Sequence, residues 1–211
     1  MHPNPAFRGV DQDNSLSFAR ERGFGLLTIN SDPVPLVSHI PFVLSQDGQH
    51  AELHLVRSNP MARAVKAPVA ARLAVSGPDG YISPDWYGLE DQVPTWNYVA
   101  VHLTGTLHPL PDDDLPAVLD RVSAQFEEQL LPKPPWTRSK MDPGVQARMM
   151  RMIRPFRLMI DDVQSTWKLG QNKPQSARLA AATHVNGHNI GSEARVLAGL
   201  MQSPIAEPNK D

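Results

Sequence analysis

Flat rings and amide groups crowd one short stretch of this chain. Tyr81, Trp86, Tyr87, Trp96, Asn97 and Tyr98 fall within 18 positions of a sequence that is only 6% aromatic. Side chains with a planar face and a polar tip suit a pocket for a planar ring. The same residues also fill core corners, and composition does not separate the two readings. A second group, Arg57-Ser58-Asn59-Pro60 followed by Arg63 and Lys66, closes an apolar stretch with cations, a hydroxyl and an amide. Donors in that order, just ahead of a helix start, can hold a phosphate. The same order caps a helix with no ligand at all. His39 interrupts the apolar run Val37-Ser38-His39-Ile40 and can donate to a phosphate or ring oxygen; a histidine there can also satisfy a local hydrogen bond.

Other chemistries lack their residues. There is no cysteine, so disulfides, thiolate nucleophiles, iron–sulfur clusters and cysteine zinc sites are excluded together. His50, His54, His102 and His108 show no metal-ligand spacing, and no structural metal is expected. Glycine-rich phosphate loops, a nucleophile elbow and a kinase signature are missing. Asp112-Asp113-Asp114 suits the positive end of a helix better than acid–base work. Met149, Met150, Met152 and Met159 read as core or interface filler.

The elements that must carry these groups are mostly strands. Asp13 to Arg22 reads as a first helix ended by Gly23. Strands are expected over Gly23–Asn30, Leu36–Leu44 and Ala51–Val56, with turns at Ser31-Asp32-Pro33 and Gln46-Asp47-Gly48-Gln49. After a helical turn opened by Pro60, a fourth strand runs from Val69 to Gly77 and on to Ser83. A fifth covers Thr95 to Leu110, with a bend or bulge at Gly105. From Asp112 the apolar spacing becomes helical through Leu115, Val118, Val122 and Phe126, and a shorter helix is expected over Val145 to Ile153. Phe156 to Ile160 forms a sixth strand that Val163 to Leu169 extends. The remainder is alanine-rich and helical, with a stripe of Ile190, Ala194, Leu197 and Met201. Strands at short intervals with no βαβ rhythm predict a mainly β fold, an antiparallel barrel with flanking helices.

The chain has 211 residues, 41% of them hydrophobic, which is enough for one sizeable core. No apolar run approaches membrane-spanning length, and the first residues lack a secretory signal, so a cytoplasmic protein is expected with no membrane partner. The net charge of −2 and the lack of a helix-turn-helix signature disfavour direct DNA binding.

Taken together, four segments resemble the PaiB family of FMN-binding, negative transcriptional regulators. They are Asn59-Pro60; Tyr81-Ile82-Ser83-Pro84 with Trp86-Tyr87; Val93-Pro94-Thr95-Trp96-Asn97-Tyr98 with Val101-His102 and Gly105; and Lys168-Leu169-Gly170-Gln171-Asn172. The resemblance implies a six-stranded FMN-binding split barrel over residues 1–172, with 173–211 as a helical extension packed on it. It also implies a homodimer with flavin at the interface. By the same resemblance His39, Arg57, Ser58, Asn59 and Arg63 approach the phosphate and ribityl chain, and Thr95, Trp96, Asn97 and Tyr98 border the isoalloxazine ring. Lys168, Gln171 and Asn172 close the site, from their own subunit or its partner. Two positions depart from the family pattern: Gly170 stands where Ser is expected, and Asp85 where a small residue is usual.

A regulatory or flavin-sensing role follows from the family. An FMN-dependent oxidoreductase using NAD(P)H and a haem-binding barrel are the alternatives that related barrels suggest. Fold alone does not choose among them.

Overall fold

Among residues 1–205, which the computed structural model describes, six strands and six α-helices form. The strands are β1 (Phe24–Ile29), β2 (Leu36–Leu44), β3 (His50–Val56), β4 (Val69–Ile82), β5 (Thr95–Pro109) and β6 (Ile153–Lys168). The helices are α1 (Gln12–Arg22), α2 (Pro60–Ala64), α3 (Leu115–Glu127), α4 (Pro143–Met150), α5 (Gln175–His188) and α6 (Ala194–Gln202). The strands close into a barrel in the order β1-β2-β3-β6-β5-β4, and β1 with β2, β1 with β4, β2 with β3 and β3 with β6 pair antiparallel. Closure leaves no sheet edge exposed for pairing with another chain. The expected six-stranded antiparallel barrel is therefore the fold of this chain.

The backbone contacts divide the chain into two compact units. One comprises Leu16–Val75 and His102–Val163; the other comprises Met1–Ser15, Ser76–Val101 and Gln164–Asp211. Residues 206–211, the end of the expected helical extension, lie outside the described residues. In the first unit, alternation along β1, β2 and β3 buries Leu27, Ile29, Phe42, Leu44, Leu53 and Leu55, joined by Leu73, Leu103, Phe156 and Leu158. Helix α3 lies against the outer face of β3, where Glu52 is 3% exposed and accepts from Arg121 Nε at 2.6 Å and Arg157 Nη2 at 2.7 Å. In the second unit, Ala177, Ala181, Ala182 and Val185 of α5 pack with Leu197, Ala198 and Met201 of α6 and with Trp167 and Leu169. The linker between these helices pairs with the end of β4, Tyr81 N donating to Ile190 O at 3.0 Å and Asp79 N to Ser192 O at 2.9 Å.

Some expectations change in detail. β5 runs through Gly105 without a break, because a side chain there would meet Met159 O at 1.8 Å. The glycine thus marks close approach of neighbouring strands. The two apolar runs near the sixth strand join into one strand of 16 residues, with Asp161 and Asp162 exposed. The stripe on the tail is buried at Ala194, Leu197 and Met201, whereas Ile190 is 51% exposed. The four methionines singled out from the sequence do not fill the core, unlike Met61 and Met201: Met149, Met152 and Met159 are exposed, and Met150 is partly so.

Candidate functional site

Strand β6 ends at Lys168, and the chain then turns sharply through Leu169-Gly170-Gln171-Asn172. Gly170 sits at φ +81°, in the left-handed region that favours glycine. The expected Ser would be strained there, although a Cβ would meet only ordinary contacts at 3.6 Å or more. The Gln171 side chain closes the turn: its Oε1 accepts from Leu169 N at 2.8 Å and its Nε2 donates to Trp167 O. The consequence is that Lys168, Asn172 and Lys173 are held on one side of a fixed loop.

Opposite them stand Thr95 and Asn97 at the start of β5. Strand alternation sends these two to one side and Trp96 and Tyr98 to the other. Thr95, Asn97, Lys168 and Asn172 therefore come together at a cleft of about 290 Å³ that His2, Phe7, Tyr87, Gln92, Val93, Lys173 and one carboxylate, Asp91, also line. Trp96 and Tyr98 do not line it. Trp96 is 47% exposed and meets Tyr81 edge-on at 6.4 Å, in a surface cluster where Trp86 stacks on His184 at 5.5 Å.

The cleft carries two cations. Lys168 Nζ donates to Thr95 Oγ1 and lies over the Phe7 ring at 5.9 Å; Lys173 Nζ donates to Gln92 Oε1 and lies over Tyr87 at 5.3 Å. Neither has a carboxylate salt bridge among the described residues. Burial, and then the neighbouring Lys173, hold the Lys168 ammonium below the usual lysine range. Asn97 is 1% exposed; its Nδ2 faces Met201 Sδ at 3.6 Å, and its Oδ1 has no partner among the described residues. A buried amide oxygen without a donor is costly, and such groups ask for an explanation.

These features fit the pyrimidine edge of a flavin, which accepts at its carbonyls and donates at one imide N–H. If a flavin were bound here, the lysines would offer donors and positive charge, and Asn97 an acceptor. When bound, FMN would add a planar redox ring and a phosphate.

The phosphate-type group lies in the other unit. Asn59 caps α2: its Oδ1 accepts from Met61 N at 2.8 Å, and its Nδ2 donates to Ser38 Oγ at 3.0 Å. Both ends of that amide are thus engaged. Arg57 donates through Nε to Arg151 O at 2.9 Å and through Nη2 to Asp112 Oδ2 at 2.6 Å. Ser58 and Arg63 are exposed, Arg63 in the last turn of α2. His39 is exposed on β2 and stacks with Phe24 at 6.3 Å, while its neighbour Ser38 points to the buried side. Alternation therefore separates His39 from the Asn59 amide.

Sequence reasoning missed His2, Phe7, Gln92 and Lys173. His2 N donates to Thr166 Oγ1 at 3.0 Å, and Phe7 is buried against the His2 ring at 4.8 Å. One signal was present: Asn4-Pro5 repeats the Asn59-Pro60 cap, and Asn4 Oδ1 accepts from Ala6 N at 3.0 Å. That cap predicts an ordered turn, but not where it docks.

Comparison with known proteins gives a consistent family. Residues 1–162 match the model of a family described as "Putative FMN-binding domain". The chain is 26% identical over 201 residues to protease synthase and sporulation protein PAI 2 of Bacillus subtilis, covering 94% of this chain and 95% of that one. It is 31% identical over 137 residues to an uncharacterized protein of Saccharomyces cerevisiae, covering 59% of this chain and 80% of that one. Among solved structures, the flavocytochrome Anf3 from Azotobacter vinelandii superposes with a TM-score of 0.56 at 15% identity, over 74% of this chain and 67% of that one. An FAD and heme binding protein from Mycobacterium smegmatis gives 0.55 at 17%, over 76% and 73%. At these identities the structural likeness speaks for the fold alone. Among the described residues, no helix is long and apolar enough to cross a membrane.

Proposed function

We propose, from the premise that this chain belongs to the putative FMN-binding domain family, that it is a homodimeric flavoprotein with a regulatory or flavin-sensing role. FMN as the cofactor follows from the family. The regulatory role leans on resemblance to PaiB and on the relationship to the Bacillus sporulation protein. The observation that carries the flavin reading is the cleft in which, among the described residues, Lys168 and Lys173 make no salt bridge, not even to Asp91 on the same wall, and the Asn97 oxygen has no donor.

In this reading Thr95, Asn97, Lys168 and Asn172 contact the ring edge, with Lys173 added to the expected set. Gln171 acts through the turn that it closes. Arg57, Ser58 and Arg63 supply donors to the phosphate, Asn59 orders the backbone N–H groups at the start of α2, and Trp96, Tyr98 and His39 contribute from the surface of the dimer. The homodimer draws support from the apolar groups that β1 and β2 expose, Phe24 at 52% and Val37 at 53%. Burial of such groups against a second copy is favourable at about 25 cal/mol per Å².

The test is direct. Purified protein should carry flavin absorbance or, if stripped, gain thermal stability on adding FMN, since a ligand that binds only the folded state raises its midpoint. Lys168→Met should reduce that gain. Protein without flavin absorbance whose midpoint ignores FMN would sink the proposal. Anaerobic bleaching by NADH or NADPH separates oxidoreductase use of the flavin from sensing, and a mobility shift that survives physiological salt would establish direct DNA contact.

A further inference from the structure

A second cavity, of about 340 Å³, lies wholly within the unit Leu16–Val75 and His102–Val163. Its floor is the outer face of the β3–β6 pair, where His54 and Val56 share one side and Val56 is in register with Ile153. Leu119 and Ser123 of α3 form one wall, and Trp136, Met141, Met149 and Met150 form the others. Helix α4 contributes Met149 and Met150 yet has no fully buried residue, so apolar groups that a core would normally cover face open space. Unbranched thioethers adapt their shape to varied ligands.

Two observations give the cavity a chemical preference. Among the described residues the one arginine or lysine on its wall is Arg138, and a two-point ion pair with Asp120 offsets its charge, which disfavours an anionic occupant. The His54 ring makes no hydrogen bond among the described residues, and its Nδ1 is a buried orphan. Its other ring nitrogen is not among the buried orphans. Burial holds the imidazole below the usual histidine range, so the ring is neutral at physiological pH. A neutral imidazole can both accept and donate. An apolar enclosure with a few convergent polar groups is the usual make-up of a small-molecule site.

We propose that this cavity binds an uncharged, largely apolar aromatic molecule with one hydroxyl, which hydrogen-bonds to His54 and Ser123. No residue lines both this cavity and the cleft of Thr95, Asn97 and Lys168, and the proposal does not depend on the flavin reading, although Val56 and Met152 adjoin Arg57, which that reading assigns to the phosphate.

Naphthol is the probe, with naphthalene lacking the hydroxyl and naphthalene sulfonate carrying a charge, each titrated by calorimetry into the full-length protein. Naphthol should bind at one per chain, roughly tenfold more tightly than naphthalene, as one net hydrogen bond provides. The sulfonate should bind more weakly than naphthol. His54→Phe should shrink the difference between naphthol and naphthalene, and His54→Phe with Ser123→Ala should erase it. Met149→Trp, at a position 54% exposed and so safe for folding, should block both. Saturating FMN should leave naphthol affinity unchanged. No naphthol binding, binding indifferent to both substitutions, or preference for the sulfonate would overturn the proposal. Competition by FMN would place the cavity in the flavin site and overturn it as a separate one. A change of oligomeric state in Met149→Trp would make the cavity an interface between copies, with the same result.

Discussion

Asn97 turns its amide nitrogen to the Met201 sulfur at 3.6 Å and keeps its carbonyl oxygen buried with no donor among the described residues. An unsatisfied buried carbonyl costs about 1–3 kcal/mol. Asn97→Leu removes that oxygen at similar volume. The free protein is expected to melt about 2–4 °C higher, while the stabilisation by added FMN falls. Thermal midpoints with and without FMN decide it; an unchanged FMN effect would show that the amide serves only packing.

Lys168 gives the free protein a pH signature. Burial and Lys173 lower its folded-state value, so the unfolded chain binds more protons in the window up to the ordinary lysine value of about 10.4. Stability contributed by this group therefore rises with pH across that window. Lys168→Met should remove the rise. In the wild type the stabilisation by FMN should fall over the same window, because the neutral amine no longer attracts the cofactor's negative charge. A flat pH dependence of the FMN effect would argue against contact.

Arg57 and Asp112 are 38% and 59% exposed at their side chains, and so solvent-screened. Breaking the pair should change stability by no more than about 0.5 kcal/mol. If Arg57 serves the phosphate, Asp112→Asn releases it and tightens FMN binding several-fold, whereas Arg57→Met weakens it. Fluorescence titration of FMN reads both. Equal affinity in all three proteins would remove Arg57 from the site.

Glu52 joins α3 to the barrel through Arg121 and Arg157. Burial raises its carboxyl, but the hydrogen bonds and charges of the two arginines outweigh that and hold it below the ordinary value of 4.5. Its contribution is fully present above that value and lost as pH falls toward the lower folded one. Glu52→Gln should destabilise the protein by about 2 kcal/mol at neutral pH. The deficit should shrink in acid, as denaturant melts at pH 7 and pH 3 can show. A deficit that stays constant with pH would assign the residue a packing role.

Local chemistry made much of this protein readable. Period-two burial fixed the strands, because one face of each meets a core, and Leu36–Leu44 formed as read. Asn59-Pro60 announced a helix start for the same reason that Asn59 now caps one. Motif resemblance pointed to FMN, and the family match over residues 1–162 covers three of its four segments, ending short of residues 168–172. What the sequence could not supply was direction. Thr95 to Tyr98 reads as one motif, yet alternation splits it across two faces. Gln171 and Asn59 read as contact residues, and their side-chain amides are engaged within the chain, Gln171 by Leu169 N and Trp167 O, Asn59 by Met61 N and the Ser38 hydroxyl. Lys173 and the N-terminal His2 and Phe7 reach the cleft only through contacts across the folded chain, and no spacing encodes those. Met149, Met150, Met152 and Met159 read as core or interface filler, and only the core reading fails, because composition cannot tell a covered face from an open one. Tertiary structure decided these points, because burial and partner choice depend on which distant segments share the same space.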